Sequence, residues 1–451
     1  MSVALGNRIS ELNKLKKKTK KVDLTNSNIL INLVVPFFFF FMMFFSPLVL
    51  NQYVYYAFGM LLFFFVITQS HRNLFTRSLL LSLLIFSSFL LYFGLRSTLS
   101  LDKDMLKRMA TVAMFIGTFV LNYILVKSFL LKNTTLVRDR LLKFIAVMFN
   151  VIAFYCLIEY ALKFNPLFNW MFNADYQRYY SINRGYELYR VSGPMQHPIV
   201  MGNFLVVGTF LNFALFSHLK KNIYVVFALL NAAALFVTFS RSSYIALAAG
   251  AIAFLAFSFG QKRNIRVPRI SMPKVIAFIF IAVALILVMS LVQMDGKSLI
   301  ASIAERFSGA SGTASVAQRS GGIKYVLDMM LHSNLLNFLI GHGYGMLSWD
   351  MRENNTSIFL SEFFIIDNQY FTFFYEFGIL GIIVLFAGIV SILRKTFMNR
   401  QIDHSPLLRF TLAAFVAIMV NIVFYEGAYW TSIAFLLSFV LALNTNLLRR
   451  N

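Results

Sequence analysis

Three arginines set among apolar neighbours are the first residues of this chain whose types could do chemistry. Arg241 lies in Phe239-Ser240-Arg241-Ser242-Ser243-Tyr244, a tight turn between two apolar runs. Arg190 opens Arg190-Val191-Ser192-Gly193-Pro194-Met195-Gln196-His197-Pro198, which leads into a third apolar run at Gly202. Arg319 starts an amphipathic stretch. A guanidinium offers paired donors to phosphate oxygens and keeps its charge at any working pH. Several of them on one side of a protein therefore suit a diphosphate. An ionisable group within a membrane-like segment is a functional candidate by default; snorkelling of the charge to an interface is the plain alternative.

Carboxylates supply the second kind of chemistry. Asp367 precedes Asn368-Gln369-Tyr370 at the start of a long apolar run, and Tyr375-Glu376-Phe377-Gly378-Ile379-Leu380-Gly381 follows inside it. A carboxylate at such a boundary is partly desolvated, which raises its proton affinity toward that of a useful base. Helix capping is the structural reading of Asp367 with Asn368. Glu376 lies about 13 Å further along a helix by rise per residue; as a buried acid it needs a partner, for which Arg241 or Arg319 is available. Asp102-Lys103-Asp104 is an acid pair of the sort some metal-dependent glycosyltransferases use, but it reads better as a cap and first-turn acids of the next helix. Gly341-His342-Gly343-Tyr344-Gly345 has no strand before it and reads as a turn re-aiming the chain, not a nucleotide loop. Arg178 and Arg184, among Tyr176, Tyr179, Tyr180, Tyr186 and Tyr189, fit a sugar-facing surface or an interfacial aromatic belt.

The elements that must hold these groups are membrane helices. The chain has 451 residues, is 59% hydrophobic and 17% aromatic with 52 Phe, carries 13% charged residues, and has a mean hydropathy of +0.71. An ordinary globular domain is about 25% charged and at most about half apolar, so a soluble enzyme, a secreted protein and a disordered scaffold are excluded. Twelve segments are long and apolar enough to span, at 28–48, 52–69, 78–95, 109–127, 144–163, 199–217, 223–240, 243–260, 275–293, 368–392, 409–425 and 430–447. With the N-terminus in the cytoplasm, alternation puts 27 of the 41 Lys and Arg inside and 14 outside, while 14 of the 18 acids fall outside. The formal excess of +23 is thus entirely cytoplasmic. That satisfies the positive-inside rule, with both termini inside and basic charge facing anionic lipid instead of nucleic acid. The basic run at 14–21 leads into a full-length apolar segment without a small-residue cleavage site, unlike a signal peptide. Cys156, the single cysteine, excludes an internal disulfide and a Cys-based zinc site and reads as a packing residue.

The organisation expected is a basic cytoplasmic tail (1–27), nine spans over 28–293 with an outer loop at 164–198, a large outer loop (294–367), three spans over 368–447, and a short cytoplasmic tail (448–451). Within the large loop, 299–307 has helical spacing, 308–315 is a small-residue linker, and 319–331 carries Ile323, Val326, Leu327 and Met330 on one helical face. Surface helices joined by a mobile stretch are expected there. No fixed-period repeat and no paired broken helices mark a transporter.

In these features the chain resembles the O-antigen ligase and polymerase superfamily of bacterial membrane enzymes. The resemblance runs over about 185–385. It rests on Arg190-Val191-Ser192-Gly193 with His197-Pro198 and Gly202, the Ser240-Arg241-Ser242 turn, Arg319 leading to Gly341-His342-Gly343-Tyr344-Gly345, and Asn368 to Gly381. Ligase members place a catalytic His before an Asn or similar residue, then nine residues, Gly, two residues and a small residue. Asn368, Gly378 and Gly381 keep that spacing, but Asp367 stands where the ligases have His. The departure favours a polymerase.

The resemblance implies an all-α, GT-C-like membrane glycosyltransferase with its site at the outer face of the cytoplasmic membrane. It implies an undecaprenyl-diphosphate-linked oligosaccharide as donor and as acceptor, a lipid bilayer around the protein, and a flippase and a chain-length regulator as candidate partners. In the expected scheme Arg190, Arg241 and Arg319 stabilise the departing diphosphate and Asp367 takes the acceptor's proton. His197, Arg184, His342, Tyr344, Asn368 and Glu376 are the expected substrate contacts, and neither metal nor cofactor is called for. A ligase-type transfer to another acceptor is the near alternative. A lipid-linked oligosaccharide flippase is the alternative of another class; it would want charged residues along a central path, whereas here they gather on one side.

Overall fold

The computed structural model describes residues 135–167, 189–259, 314–353, 365–399 and 405–449, apart from 196 and 428–429, with short pieces at 119–130 and 293–304. Ten helices run through these residues: α1 (Thr135–Leu162), α2 (Pro198–Leu219), α3 (Ile223–Phe236), α4 (Arg241–Phe259), α5 (Ala314–Leu331), α6 (Leu335–Ile340), α7 (Met346–Glu353), α8 (Gln369–Phe397), α9 (Pro406–Asn421) and α10 (Thr431–Arg449). A 3-10 turn at Gly193–Met195 precedes α2. Two short antiparallel strands, Gln293–Met294 and Lys297–Ser298, pair Gln293 with Ser298 and Met294 with Lys297.

Three of these helices, α1, α2 and α8, are long and apolar enough to cross a membrane, and α3, α4, α9 and most of α10 are shorter apolar helices. Seven of the twelve predicted spans thus have a helical counterpart. Those at 28–48, 52–69, 78–95 and 275–293, most of 109–127, and the Asp102-Lys103-Asp104 pair lie outside the described residues, so the count of twelve is not established.

Polar residues set the helix ends. Pro198 sits in the first turn of α2, where a missing N–H costs nothing, and His197 caps it by accepting from Ile199 N at 3.2 Å on Nδ1. Ser405 caps α9 ahead of Pro406. α4 starts at Arg241 and α3 ends at Phe236, so Arg241 is the first helical residue and not part of the turn. The surface helix predicted at 319–331 begins five residues earlier, at Ala314, inside the expected linker. Its Val326 and Met330 are buried and Ile323 half-buried, but Leu327 is exposed. The buried face turns instead through Gly322, Val326 and Met330, because Gly322 packs directly on Ile366.

α2 is buried nearly all round, by α1, α3, α4, α9 and α10. Phe149, Phe204, Phe210, Phe410, Phe435 and Phe439 fill the space between these helices. Amides hold the middle of the bundle: Asn150 Oδ1 accepts from Asn212 and Asn231 at 3.0 and 2.7 Å. Interhelical side-chain hydrogen bonds of this kind fix helix positions inside a membrane. By contrast, Leu380, Ile383, Val384, Phe386 and Val390 of α8 and Val147, Val151 and Phe154 of α1 are exposed, as lipid-facing surfaces are.

Alternation of the helices gathers the described residues of 189–198, 237–243, 319–353, 365–378 and 421–430 at one end. Val191 N donates to Val237 O at 3.3 Å, and Gln369 N to Ile422 O at 3.1 Å. Asn421 Nδ2 reaches Ser243 Oγ at 3.3 Å. The opposite end is tied by Asp139 with His218 at 3.0 Å and by Asn444 with Thr396 and Thr411.

Candidate active site

Asn368 caps α8, its side-chain oxygen accepting from Tyr370 N and Phe371 N at 3.1 and 3.3 Å. Asp367, immediately before it, is therefore not the cap. Its backbone is left-handed (φ 53), a conformation Asp and Asn tolerate best among residues with a side chain. Its carboxylate faces Arg319 Nη2 of α5 at 3.6 Å, with both side chains about four-fifths buried. Arg319 Nε is buried and makes no hydrogen bond to the described residues. Arg319, offered by the sequence as a partner for Glu376, thus meets Asp367 instead, across 48 residues of sequence.

A second carboxylate joins them. Glu426, in the connection between α9 and α10, lies 2.6 Å from Thr372 Oγ1 in the first turn of α8. It also accepts from the backbone N–H of Ile366, next to Asp367. Burial chiefly, with the nearby Asp367 charge, pushes its carboxyl up to about 7, against the bonds from Thr372 and Ile366. The residue beside it, Tyr425, stacks on His197 with ring centroids 4.5 Å apart, and Trp430 closes over both. His197 thus has capping and stacking roles in which its ring is buried.

Arg190 stands beside the 237–240 turn that precedes Arg241. Arg190 Nε donates to Thr238 O at 3.2 Å, in the turn that ends at Arg241. What holds Arg190 there is Glu159, in the last turn of α1. Its two oxygens accept from Tyr189 OH (3.0 Å), Ser192 N (3.0 Å), Gly193 N (2.9 Å) and Asn165 Nδ2 (3.1 Å). Burial and the Glu159 charge hold the Tyr189 phenol well above its usual range, so it stays a donor. Three N–H donors, from Ser192, Gly193 and Asn165, converge with the Tyr189 hydroxyl on this fully buried side chain, so both of its oxygens are needed as acceptors. Glu159→Gln turns one oxygen into an NH2 group facing two donors. A loss of at least about 1–3 kcal/mol is expected, read as a lower unfolding midpoint in detergent.

The glycine-rich segment is a turn, as its sequence suggested, and it is built into α8. At Gly378 the helix breaks (φ 67, ψ -171). The carbonyls of Tyr375 and Glu376 beside the break accept from His342 N and Gly343 N at 2.9 and 3.0 Å. Glu376 Oε1 takes Gly345 N at 2.8 Å, which gives this buried acid a backbone partner. His342 stacks on Tyr375 with centroids 4.4 Å apart, Tyr344 lies against Phe377, and Tyr375 donates to Asp350. A Cβ at Gly378 would come within 2.5 Å of Gly341 N and Ile340 N. Gly378→Ala is therefore expected to cost several kcal/mol, on the order of a strained φ plus a backbone clash, and to leave little folded protein in a fluorescence-detected size-exclusion assay.

Of the sequence candidates, Arg319 with Asp367 and Arg190 with the Arg241 turn are brought together at this end. Asn368 serves as the cap, and His342, Tyr344 and Glu376 shape the break in α8. Arg184 and its tyrosines lie outside the described residues. Glu159 and Glu426 were missed, although each is a lone acid in an otherwise apolar or aromatic stretch, and that was a readable signal.

Residues 226–386 match the O-antigen ligase family. The match spans Arg241, Arg319, the glycine-rich turn, Asp367 and the Gly378 break, and it supports membership of the O-antigen ligase and polymerase superfamily, as the residue pattern implied. Members are glycosyltransferase-like membrane enzymes that act on lipid-linked oligosaccharides. No curated protein matches the chain. Arg190, Glu159 and Glu426 lie outside the matched stretch, so their place at the site rests on geometry alone.

Proposed function

We propose that this protein polymerises oligosaccharide repeat units carried on undecaprenyl diphosphate, at the outer face of a bacterial cytoplasmic membrane. The observation that carries the reading is the Arg319–Asp367 pair at the start of α8, at the bundle end that also holds the Arg190 and Arg241 turns. One end of an apolar bundle thereby offers cations for a diphosphate and a carboxylate for a hydroxyl.

A hydroxyl of the acceptor's terminal sugar attacks the anomeric carbon of the donor glycan. The anomeric C–O bond breaks, and its electron pair leaves with the lipid diphosphate, which is already anionic. Arg190, Arg241 and Arg319 stabilise the charge gathering on the departing oxygen, in surroundings where a fixed charge acts more strongly than in water. Asp367 takes the hydroxyl proton late in the step. The choice of polymerase over ligase follows from Asp367 occupying the place of the ligases' His: the acceptor here is another lipid-linked repeat unit. Among the described residues, the amides bonded across the middle of the bundle, Asn150, Asn212 and Asn231, are uncharged, a poor path for a flippase to pass a diphosphate.

Cells carrying Asp367→Asn in place of the native protein separate these readings. A polymerase predicts single repeat units at the cell surface and no long chains. Absence of any surface product would mark loss of flipping and contradict the assignment.

A further inference from the structure

Glu426 occupies a position in which it can hold or release a proton without moving a heavy atom. Thr372 Oγ1 lies 2.6 Å from Glu426 Oε1 and 3.0 Å from Asn368 O. One hydroxyl proton cannot serve both acceptors. With Glu426 ionised, Thr372 donates to it, and Asn368 O keeps its bond from Thr372 N at 3.0 Å. With Glu426 protonated, Glu426 donates to Thr372, and Thr372 turns its proton to Asn368 O. Ile366 N–H bonds the carboxyl in either state, and that amide belongs to the residue before Asp367. Glu426 therefore grips the backbone that presents Asp367, and its charge faces Asp367 across the site.

We propose that Glu426 is the positioning residue of Asp367, fixing the left-handed turn that aims it and setting, by its own protonation, how strongly Asp367 binds a proton. The inference rests on the reading of Asp367 as the base. Two carboxylates facing each other in a partly buried site oppose each other's ionisation. An ionised Glu426 makes Asp367 the stronger base; a protonated one leaves it weaker. Burial holds the Glu426 carboxyl up to about 7, so the change falls within the working range. Among the described residues, the charged group that acts on it is Asp367 before α8, with Arg319 of α5 paired to Asp367 and His197 of α2 stacked on the adjacent Tyr425. Thr372 and the Ile366 amide complete its bonds.

Glu426→Gln keeps an oxygen for Ile366 N–H and an amide N–H for Thr372, so the turn survives while the charge is lost. Infrared difference spectra of the purified full-length protein, taken between about pH 5.5 and 8.5, read the carboxyl directly. The difference between the native protein and Glu426→Gln should contain a protonated-carboxyl band that is lost with a midpoint near 7. That band should be missing in Glu426→Gln and shifted about one pH unit lower in Asp367→Asn, where the facing charge is gone. Turnover of a purified lipid-linked repeat unit should rise through the same midpoint. In Glu426→Gln that rise should flatten, with kcat down about three- to tenfold at alkaline pH and KM unchanged. Glu426→Ala, which also frees the turn, should lose more. An unshifted band in Asp367→Asn, or a native pH profile in Glu426→Gln, overturns the proposal. A coupled band in a protein that turns over no lipid-linked glycan would leave the carboxylate pair standing and contradict the polymerase reading instead.

Discussion

Asp367→Asn should abolish most polymer formation while leaving the protein folded. The exchange keeps the side chain's shape and its tolerance of the left-handed backbone (φ 53). The helix start is untouched, since Asn368 makes the capping bonds. What disappears is a proton acceptor and an ion pair at 3.6 Å. Asn keeps an oxygen that can accept from Arg319 and the pair is long, so the unfolding midpoint should move far less than turnover. Loss of a positioned base should lower turnover by about 10²–10⁴-fold. Before the structure, capping was the competing account of Asp367, and it predicted an innocuous substitution because Asn caps as well as Asp. With the cap assigned to Asn368, near-normal turnover would mean that Asp367 serves only to hold Arg319, and Glu426 would be the next base to test.

The arginines carry the second large effect. Arg241→Lys retains the charge but replaces a planar fork by a point donor. Loss of one charge-stabilising donor at a reacting centre commonly lowers kcat by about 10²–10³, and that range is expected for Arg241→Lys and for Arg319→Ala. The protein should stay folded, because both side chains are only half-buried residues at the bundle end, outside the hydrophobic core clusters. Normal polymer from Arg241→Ala would reduce Arg241 to an interfacial anchor. Arg319 has a further signature: it touches Asp367, so the double variant Arg319→Ala/Asp367→Asn should lose less than the product of the single losses. Full multiplicativity would show that the two residues act apart.

Hydropathy made the helices of the described residues legible. The runs expected at 199–217 and 368–392 appear as Pro198–Leu219 and Gln369–Phe397, within five residues at every end. Alternation of the apolar runs predicted which ends lie together, and the contacts of Val191 with Val237 and of Gln369 with Ile422 join those ends. Side-chain partners were less legible, because they are made across long stretches of chain. The spacing of Asn368, Gly378 and Gly381 was visible, but not that Gly378 breaks the helix, since its partner backbone lies at 339–341. Asp and Asn cap about equally well, so adjacent Asp367 and Asn368 could not be told apart by type. Glu159 and Glu426 were less legible because their partners, at 165–193 and 366–372, lie elsewhere along the chain.

The central claim is that Asp367 and the arginines make this protein a polymerase of lipid-linked repeat units. Its most direct test is the purified protein given a single lipid-linked repeat unit as both donor and acceptor, with products resolved by length. The account predicts a ladder of products differing by one repeat, with release of lipid diphosphate for every bond formed, and no ladder from Asp367→Asn. Transfer of one repeat to a different acceptor without a ladder, or a ladder of native yield from Asp367→Asn, would contradict it.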